Sequence, residues 1–417
     1  MSGPLTVSLA FALNDVRPVG RLAMQGRAVL FEWAGEARAV PLGLSPFTLP
    51  EEAGVLRGPR DPFGGLPGLF GDSLPDAWGR LLTDRAVRRA GGDPATLTPL
   101  DRLAAVGQGG QGALVYAPET ATERPAGPVN LDTLAEAAAI VLGEDGPLDA
   151  AAFDRLHGVA GSSGGARPKA LVHRDRVGAF HADPAPDNAP GREPWIVKFP
   201  ASIDGPEAGA VEAACADLAR RCGLTMAETA LVPSTKSAGW FATRRFDRVS
   251  GGGRVHMHSL AGLLEADWRM PSVGYDALVK AARLLTKREA EAEAAFRLMA
   301  FNIAVHNRDD HAKNFAFLMD GSGEWRLAPA YDLTVSDGPG GEHTMDVAGE
   351  GKAPTRADAL RLARQGGIRD KPALAALAAV CDGLAGSVAI LRDRGVGARE
   401  SARVAAVIEK GRAALRG

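Results

Sequence analysis

FNIAVHNRDDHAKNFAFL, residues 301–318, followed by LAPAYDL, residues 327–333, is the stretch whose reading decides the fold. It crowds Asp309, Asp310, His311, Lys313 and Asn314 together, and the second segment sets Asp332 between apolar neighbours. An aspartate, an asparagine five positions later and an aspartate after a short hairpin are how protein kinases arrange a base and two magnesium ligands. The surrounding composition sharpens the signal. The chain has nine lysines, the first at Lys169, and six asparagines, of which Asn302, Asn307 and Asn314 all lie in this window. In a chain that otherwise prefers arginine, a lysine or asparagine marks a place where the guanidinium fork does not serve. A zinc site explains the window less well, because it holds one histidine within the loop and leaves the asparagine and lysine without a role. A merely solvated charged loop requires the further motifs described below to coincide.

The frame is that of an ordinary globule. The 417 residues suffice for two or three domains. A hydrophobic share of 46%, a charged share of 24% and a net charge of −2 give no general reason to expect nucleic-acid or membrane binding. Cys215, Cys222 and Cys381 have no metal-type spacing and are too few for a disulfide framework. MSGPLTVSLAF lacks the basic and apolar regions of a signal peptide, and the alanine-rich apolar stretches are too short to span a bilayer. The expectation is a cytoplasmic protein.

The organisation changes along the chain. LTVSLAF, VGRLAMQ, AVLFEWA and ARAVPLG read as short strands within residues 1–70. SLPDAWGRLLTDRAVRRAG reads as a helix with Asp76 or Ser73 as cap and Gly91 as stop. GQGGQGALVYAPE returns to a strand, residues 118–130 read as a linker, and LDTLAEAAAIVLG as a helix. Residues from 158 to about 248 are strand-rich with one helix, and residues from about 259 onward are nearly all helix. The expected division is therefore 1–117 as an N-terminal β-containing subdomain, 118–130 as linker, 131–248 as an N-lobe and 249–417 as a helical C-lobe.

Kinase parts occur in order. GVAGSSGGARPKALV, residues 158–172, is glycine-rich without Walker spacing; its Gly164, Gly165 and Lys169 are candidate nucleotide contacts, and a hairpin turn between two strands is the plainer reading. In EPWIVKFP, residues 193–200, Lys198 interrupts a buried strand, which costs stability unless it is paired or snorkels to water. Residues 204–224 form a helix with Asp204 and Glu207 in capping-box positions, and Glu212 beside its apolar stripe is a candidate partner for Lys198, although a surface glutamate is the commoner fate. WFATRRF, residues 240–246, is a candidate hinge strand carrying Arg244 and Phe246. Thr286 and Glu289 predict a second capping box ahead of the helix that leads into Asn307.

SSGGARPK (162–169), WIVKF (195–199), RFDR (245–248), NRDDHAKNF (307–315) and APAYDL (328–333) together resemble the HipA-type serine/threonine kinase toxins of bacterial type II toxin–antitoxin systems, and DSLPDAWGR (72–80) looks like that family's N-terminal region. The resemblance implies an α+β, two-lobed protein-kinase-like fold with an N-terminal β-containing subdomain and an all-helical C-lobe. It implies ATP and Mg2+ as cofactors, Asp309 as base, Asn314 and Asp332 as metal ligands, and Lys198 on the ATP phosphates. Lys313 and His311 would act beside the transferred phosphoryl group. Ser162 matches the position of the family's autophosphorylated serine, with Ser163 adjacent as the alternative because GSSGGARPK departs from the GAQxK form. The implied partners are a helix-turn-helix antitoxin of HipB type, operator DNA mainly through that antitoxin, and a protein substrate such as an aminoacyl-tRNA synthetase. A small-molecule phosphotransferase of similar fold and a catalytically silent kinase-like binding partner are the alternatives.

Overall fold

The computed structural model describes residues 3–417 apart from 121–124, 144–148, 163, 184–190, 202, 250 and 339. Ser163 and part of the expected linker lie outside the described residues.

The N-terminal strands alternate in burial, as a sheet with one wet face requires. Leu5, Val7, Leu9 and Phe11 of β1 (Leu5–Ala12) all point inward. With β2 (Asp15–Gln25), β3 (Ala28–Trp33), β4 (Val55–Arg57) and β5 (Leu114–Ala117) it forms an antiparallel sheet in the order β4-β3-β2-β1-β5. ARAVPLG, expected as a strand, is instead a helical turn, Gly35–Ala39, followed by irregular chain. Its Val40 is 71% exposed and Pro41 has no N–H to pair, so neither burial nor a ladder favours extension there.

A second sheet of six strands follows, from β6 (Gly127–Pro128), β7 (Lys169–Asp175), β8 (Phe180–Ala182), β9 (Arg192–Lys198), β10 (Thr229–Val232) and β11 (Trp240–Arg244), in the order β10-β11-β9-β7-β8-β6. The end of the expected linker thus contributes a short edge strand, paired with β8. Helices Leu131–Leu142 and Ala150–Ala160 share a core with this sheet, and Trp78 and Leu82 of helix Ala77–Arg89 complete it. The glycine-rich stretch joins helix Ala150–Ala160 to β7, so it does not turn between two strands.

Two further small sheets, β12 (Arg248–Val249) with β13 (Gly253–Arg254), and β14 (His256–Ser259) with β15 (Ala316–Met319) and β16 (Trp325–Leu327), lead into and interrupt the helical half. The lobe expected to be all-helical, residues 249–417, therefore also carries the end of β12, β13 and the sheet β14–β16. That last sheet has a function in the architecture, since the β15–β16 hairpin separates Asn314 from Asp332.

A single large core runs from the N-terminal sheet through helices Tyr275–Thr286 and Glu289–Val305 to the C-terminal helix Ala398–Arg416. Helix Ala208–Arg221 belongs to this core through Val211, Ala214, Cys215 and Leu218. It is also tied to the C-terminal helices directly: Arg394 Nε meets Asp217 Oδ2 at 2.5 Å, and the Gly397 N–H donates to Glu207 Oε1 at 2.6 Å. Neither expected capping box forms. Asp204 instead accepts from the Ala201 N–H and pairs with Arg167 at 2.6 Å, and Thr286 ends one helix rather than starting the next. Among the described residues no single helix is long and apolar enough to cross a membrane. One bent pair, Asp370–Gly383 with Ser387–Asp393, passes on length and composition, but Leu377, Val380 and Leu391 of that pair lie in the core.

Candidate active site

Between the six-stranded sheet and the helical half lies a cleft of about 1370 Å3, lined by every residue given a catalytic, nucleotide, metal or autophosphorylation role from the sequence, Ser163 aside, while Asn302, Asn307 and Asp310 are buried behind it. β9 delivers Lys198 directly opposite Lys169 of β7 and Phe241 of β11. The Lys198 ammonium contacts both Glu212 Oε1 and Asp332 Oδ1, and lies 5.5 Å from the centroid of the Phe241 ring. Burial disfavours this ammonium, but Asp332 and Glu212 outweigh burial and hold its pKa above the ordinary lysine value. Burial also pushes Asp332 up, yet Lys198 and Lys169 pull it well below the usual carboxylate range. Glu212 is pushed up by burial against the pull of Lys198. Lys169 is lowered by burial, with Asp332 opposing and Lys198 adding to the shift. A lysine strand, a helix glutamate and a post-hairpin aspartate thus converge on one charge from three separate elements.

The loop after helix Glu289–Val305 is held by a buried polar scaffold. Asn302 Nδ2 donates to Tyr275 Oη at 3.0 Å, and Asn307 Nδ2 donates to Asn302 Oδ1 at 3.1 Å and to the Asp332 carbonyl at 3.3 Å. Asp310 is fully buried and accepts from Tyr275 Oη at 2.6 Å and the Thr344 N–H at 2.7 Å, with His343 Nδ1 also at 2.7 Å. Its neighbour Asp309 faces the cleft with its side chain half exposed. Burial raises the Asp309 pKa; His311 opposes this and Asp332 adds to it. His311 Nε2 is 3.9 Å from Asp309 Oδ1, outside hydrogen-bond range. Asn314 Nδ2 donates to the Asp309 carbonyl at 2.8 Å, which fixes the amide and turns its oxygen away from that bond. Asp332 takes φ +53, a left-handed conformation rare for an L-residue and enriched at functional sites.

The remaining candidates sit at the rim. Gly165 has φ +81, which favours glycine, and a Cβ there would come within 2.3 Å of Lys169 Nζ, so the lysine tip would have to move aside. Ser162 Oγ donates to the Gly109 carbonyl at 3.1 Å. Arg244 pairs with Glu193 at 3.3 Å, and the Phe246 ring lies 5.6 Å from that of Tyr331. Lys313 meets Asp76 Oδ1 at 2.5 Å and stacks 4.0 Å from the Trp268 ring centroid. Sequence reasoning missed Asp76 and the Tyr275–Asn302–Asn307 scaffold, although the clustering of scarce asparagines pointed at the latter. It also missed the work of RFDR: Asp247 accepts from Arg245, Arg248 and the Gly112 N–H, while the two arginines hold the carbonyls of Gly110 and Gly112.

Oxygen ligands such as Asp332 and the Asn314 amide suit Mg2+, which commonly takes one or two protein groups and completes its shell with phosphate and water. Among the described residues there is no cluster of three or more His, Cys, Asp or Glu able to hold an ion alone.

A search of curated proteins found no match. Among solved structures, a chain of the Shewanella oneidensis MR-1 toxin–antitoxin complex of HipA, HipB and operator DNA superposes with a TM-score of 0.67 at 15% identity, covering 99% of this chain and 96% of that one. The Helicobacter pylori proinflammatory kinase CtkA is a more distant neighbour, with a TM-score of 0.36 and 14% identity over 53% of this chain and 87% of that one. The model of the HipA N-terminal domain matches residues 10–117, and that of the HipA-like C-terminal domain matches residues 161–387, more than half of the sequence. The chain belongs to the HipA family.

Proposed function

We propose that this chain is an ATP- and Mg2+-dependent serine/threonine protein kinase that acts as the toxin of a toxin–antitoxin pair. The observation that carries the reading is the Lys198 ammonium shared between Glu212 and Asp332, with Asp309 and Asn314 on the adjoining loop. Phosphoryl transfer asks the protein for positioning and charge rather than covalent chemistry. Lys198 and Lys169 bind phosphate oxygens, and backbone amides of the glycine loop other than that of Gly165, which Asp76 holds, approach them without side-chain obstruction. Asp309 accepts the proton of the attacking hydroxyl, and its raised pKa makes it a better base than a free aspartate. Asn314 and Asp332 hold Mg2+, which when bound neutralises charge on the phosphates. Lys313 offsets charge developing on the transferred group, and His311 lies close enough to Asp309 to bias its ionisation.

The neighbour solved with HipB and operator DNA supports an antitoxin of HipB type as partner, with operator DNA reached mainly through it. The substrate class is a protein of translation such as an aminoacyl-tRNA synthetase, and the setting is the cytoplasm. Ser162 is the proposed autophosphorylation site, with Ser163 as the alternative. A phosphate there brings about −1.5 to −2 charges against those of ATP, and drives the loop outward.

Incubating the protein with γ-labelled ATP, Mg2+ and cell extract tests the reading. Label should enter a protein band with wild type and not with Asp309→Ala. Expression without an antitoxin should arrest growth, and Lys198→Ala should relieve it. A stable Lys198→Ala protein that remains toxic points to a binding-only mechanism. Mass spectrometry after incubation with Mg-ATP should find phosphate on the peptide spanning residues 158–169.

A further inference from the structure

Asp76 occupies the N-cap position of helix Ala77–Arg89, yet its side chain caps nothing in that helix. An aspartate there ordinarily accepts an amide of its own first turn, a contact worth about 1 kcal/mol. Here Oδ2 accepts the Gly165 N–H at 2.9 Å and Oδ1 accepts Lys313 Nζ at 2.5 Å. One carboxylate from the N-terminal region therefore ties the glycine loop to the catalytic loop. Lys313 has little freedom left, since its side chain is 10% exposed and it also lies on the Trp268 ring.

The same short segment holds the loop elsewhere. The Trp78 N–H donates to the Gly165 carbonyl at 3.3 Å, and Trp78 Nε1 donates to the Lys169 carbonyl at 3.1 Å. A Cβ on Gly164 would lie 3.0 Å from Gln111 Nε2 and 3.4 Å from Asp76 Oδ2, so the loop backbone packs closely on this wall. The segment is itself anchored to the helical half, where Asp72 accepts the Ser259 N–H at 2.7 Å and Ser259 Oγ at 2.6 Å and meets His258 Nδ1 at 2.6 Å. His258 Nε2 reaches Ser45 Oγ at 3.0 Å. That order of groups is the order of a hydrolase triad, but Ser45 and His258 are fully buried, so the array is a tether and not a second catalytic centre.

We propose that residues 72–78 are a latch, and that Asp76 is the positioning residue by which the N-terminal region sets the distance between the Gly165 amide and the Lys313 ammonium. This rests on the phosphotransfer reading only for its kinetic consequence. Asp76 touches neither nucleotide nor acceptor in this scheme; the single Gly165 N–H is spent on the tie, and what the tie fixes is the Lys313 ammonium, whose other N–H groups stay free, a fixed donor being worth more in a transition state than one that must be ordered during the reaction.

Asp76→Asn keeps the shape and an acceptor for Gly165 but removes the charge that orders Lys313. Hydrogen exchange of peptides carrying Gly165 should rise about tenfold, the factor a single charge-assisted hydrogen bond represents. Trp78→Phe, which deletes one neutral hydrogen bond, should raise it by a smaller factor. The kcat of Asp76→Asn should fall about tenfold with KM for ATP nearly unchanged, because Lys313 acts on the developing charge. Unchanged exchange in a folded Asp76→Asn protein overturns the latch. A higher kcat overturns the positioning role, since it means the carboxylate competes with phosphate for its two donors. If wild type transfers no phosphoryl group, the phosphotransfer reading fails while the exchange arm still decides the latch.

Discussion

Two glycine-rich segments face the same cleft, and they are built in opposite ways. In GQGGQG, residues 107–112, buried arginines grip the carbonyls. Gly110 O receives Arg245 and Arg248, Gly112 O receives Arg248, and Gln108 O receives Arg254, while the Gly112 N–H is taken by Asp247 at 2.8 Å. Arg245, Arg248 and Arg254 are all buried, so this segment is riveted by guanidinium groups. In GVAGSSGG, residues 158–165, the described side-chain ties are the Ser162 hydroxyl on Gly109 and the Asp76 carboxylate on the Gly165 amide. The first segment is scaffold. The second presents an amide already paired with an anion. Glycine content reads alike in both; what separates them is the charge of the side chains that hold them, guanidinium groups on carbonyls in the first and a carboxylate on an amide in the second.

The comparison breaks if chemistry does not concentrate on the second segment's side of the cleft. Asp309→Ala should lower phosphoryl transfer by about 10²–10⁴-fold, the range for a lost general base, with Mg-ATP binding largely kept in calorimetry. Near-normal transfer in that variant removes Asp309 from the chemistry. Asp247→Ala should act on stability instead. It leaves Arg245 and Arg248 buried without their carboxylate, a change that costs about 3–5 kcal/mol in denaturant unfolding. Burial pushes the Asp247 carboxyl up, but Arg245 and Arg248 hold it far below the usual range. Its stabilisation is therefore complete above the unfolded aspartate pKa and is lost as pH falls below it, and the variant should lack that acid dependence. An Asp247→Ala protein of full stability contradicts the scaffold assignment.

Gly165→Ala sharpens the contrast. Its φ of +81 and the 2.3 Å approach to Lys169 Nζ should shift the lysine and weaken Mg-ATP binding about tenfold, since a left-handed alanine costs about 1–2 kcal/mol. Unfolding should lose no more than that strain of about 1–2 kcal/mol, less than Asp247→Ala loses. The smallest effect is on pH. Because burial raises Asp309, the acid limb of kcat/KM should lie above the ordinary aspartate value of 3.8, with activity lost as pH falls through it. His311→Gln removes the group that opposes the rise, so the limb should move further up. A limb that moves down, or does not move, detaches His311 from Asp309.

The site was legible where spacing within one segment carries it. Asp309, Asn314 and Asp332 share a loop and a hairpin, and Lys198 stands out in an apolar strand. Adjacent Asp309 and Asp310 were not separable by sequence, because their difference lies in Tyr275, Thr344 and His343, far along the chain. Asp76 was legible only as a helix cap, the local use of an aspartate that long-range partners overrode. The same override explains the two capping boxes that do not form, while Thr98–Asp101 and Thr355–Asp358, which do form, drew no notice. In the fold, the two-part layout was readable from the change of hydrophobic period. The strand at 37–43 failed for lack of a partner, and β14–β16 were hidden because strands of three or four residues leave no period to detect.

The anchoring of helix Ala208–Arg221 bears on how such an enzyme is turned on and off. In many kinases the helix that bears the lysine's glutamate swings out, and positioning it is the means of control. Here that helix is bolted at both ends to the C-terminal layer, through Glu207 to Gly397 and through Asp217 to Arg394, and its apolar face is shared with the largest core. Rotating Glu212 away from Lys198 means opening that layer as well. The proposed switch at Ser162 would act on the opposite wall, where Asp76 and Trp78 hold the loop by hydrogen bonds and not by a shared core.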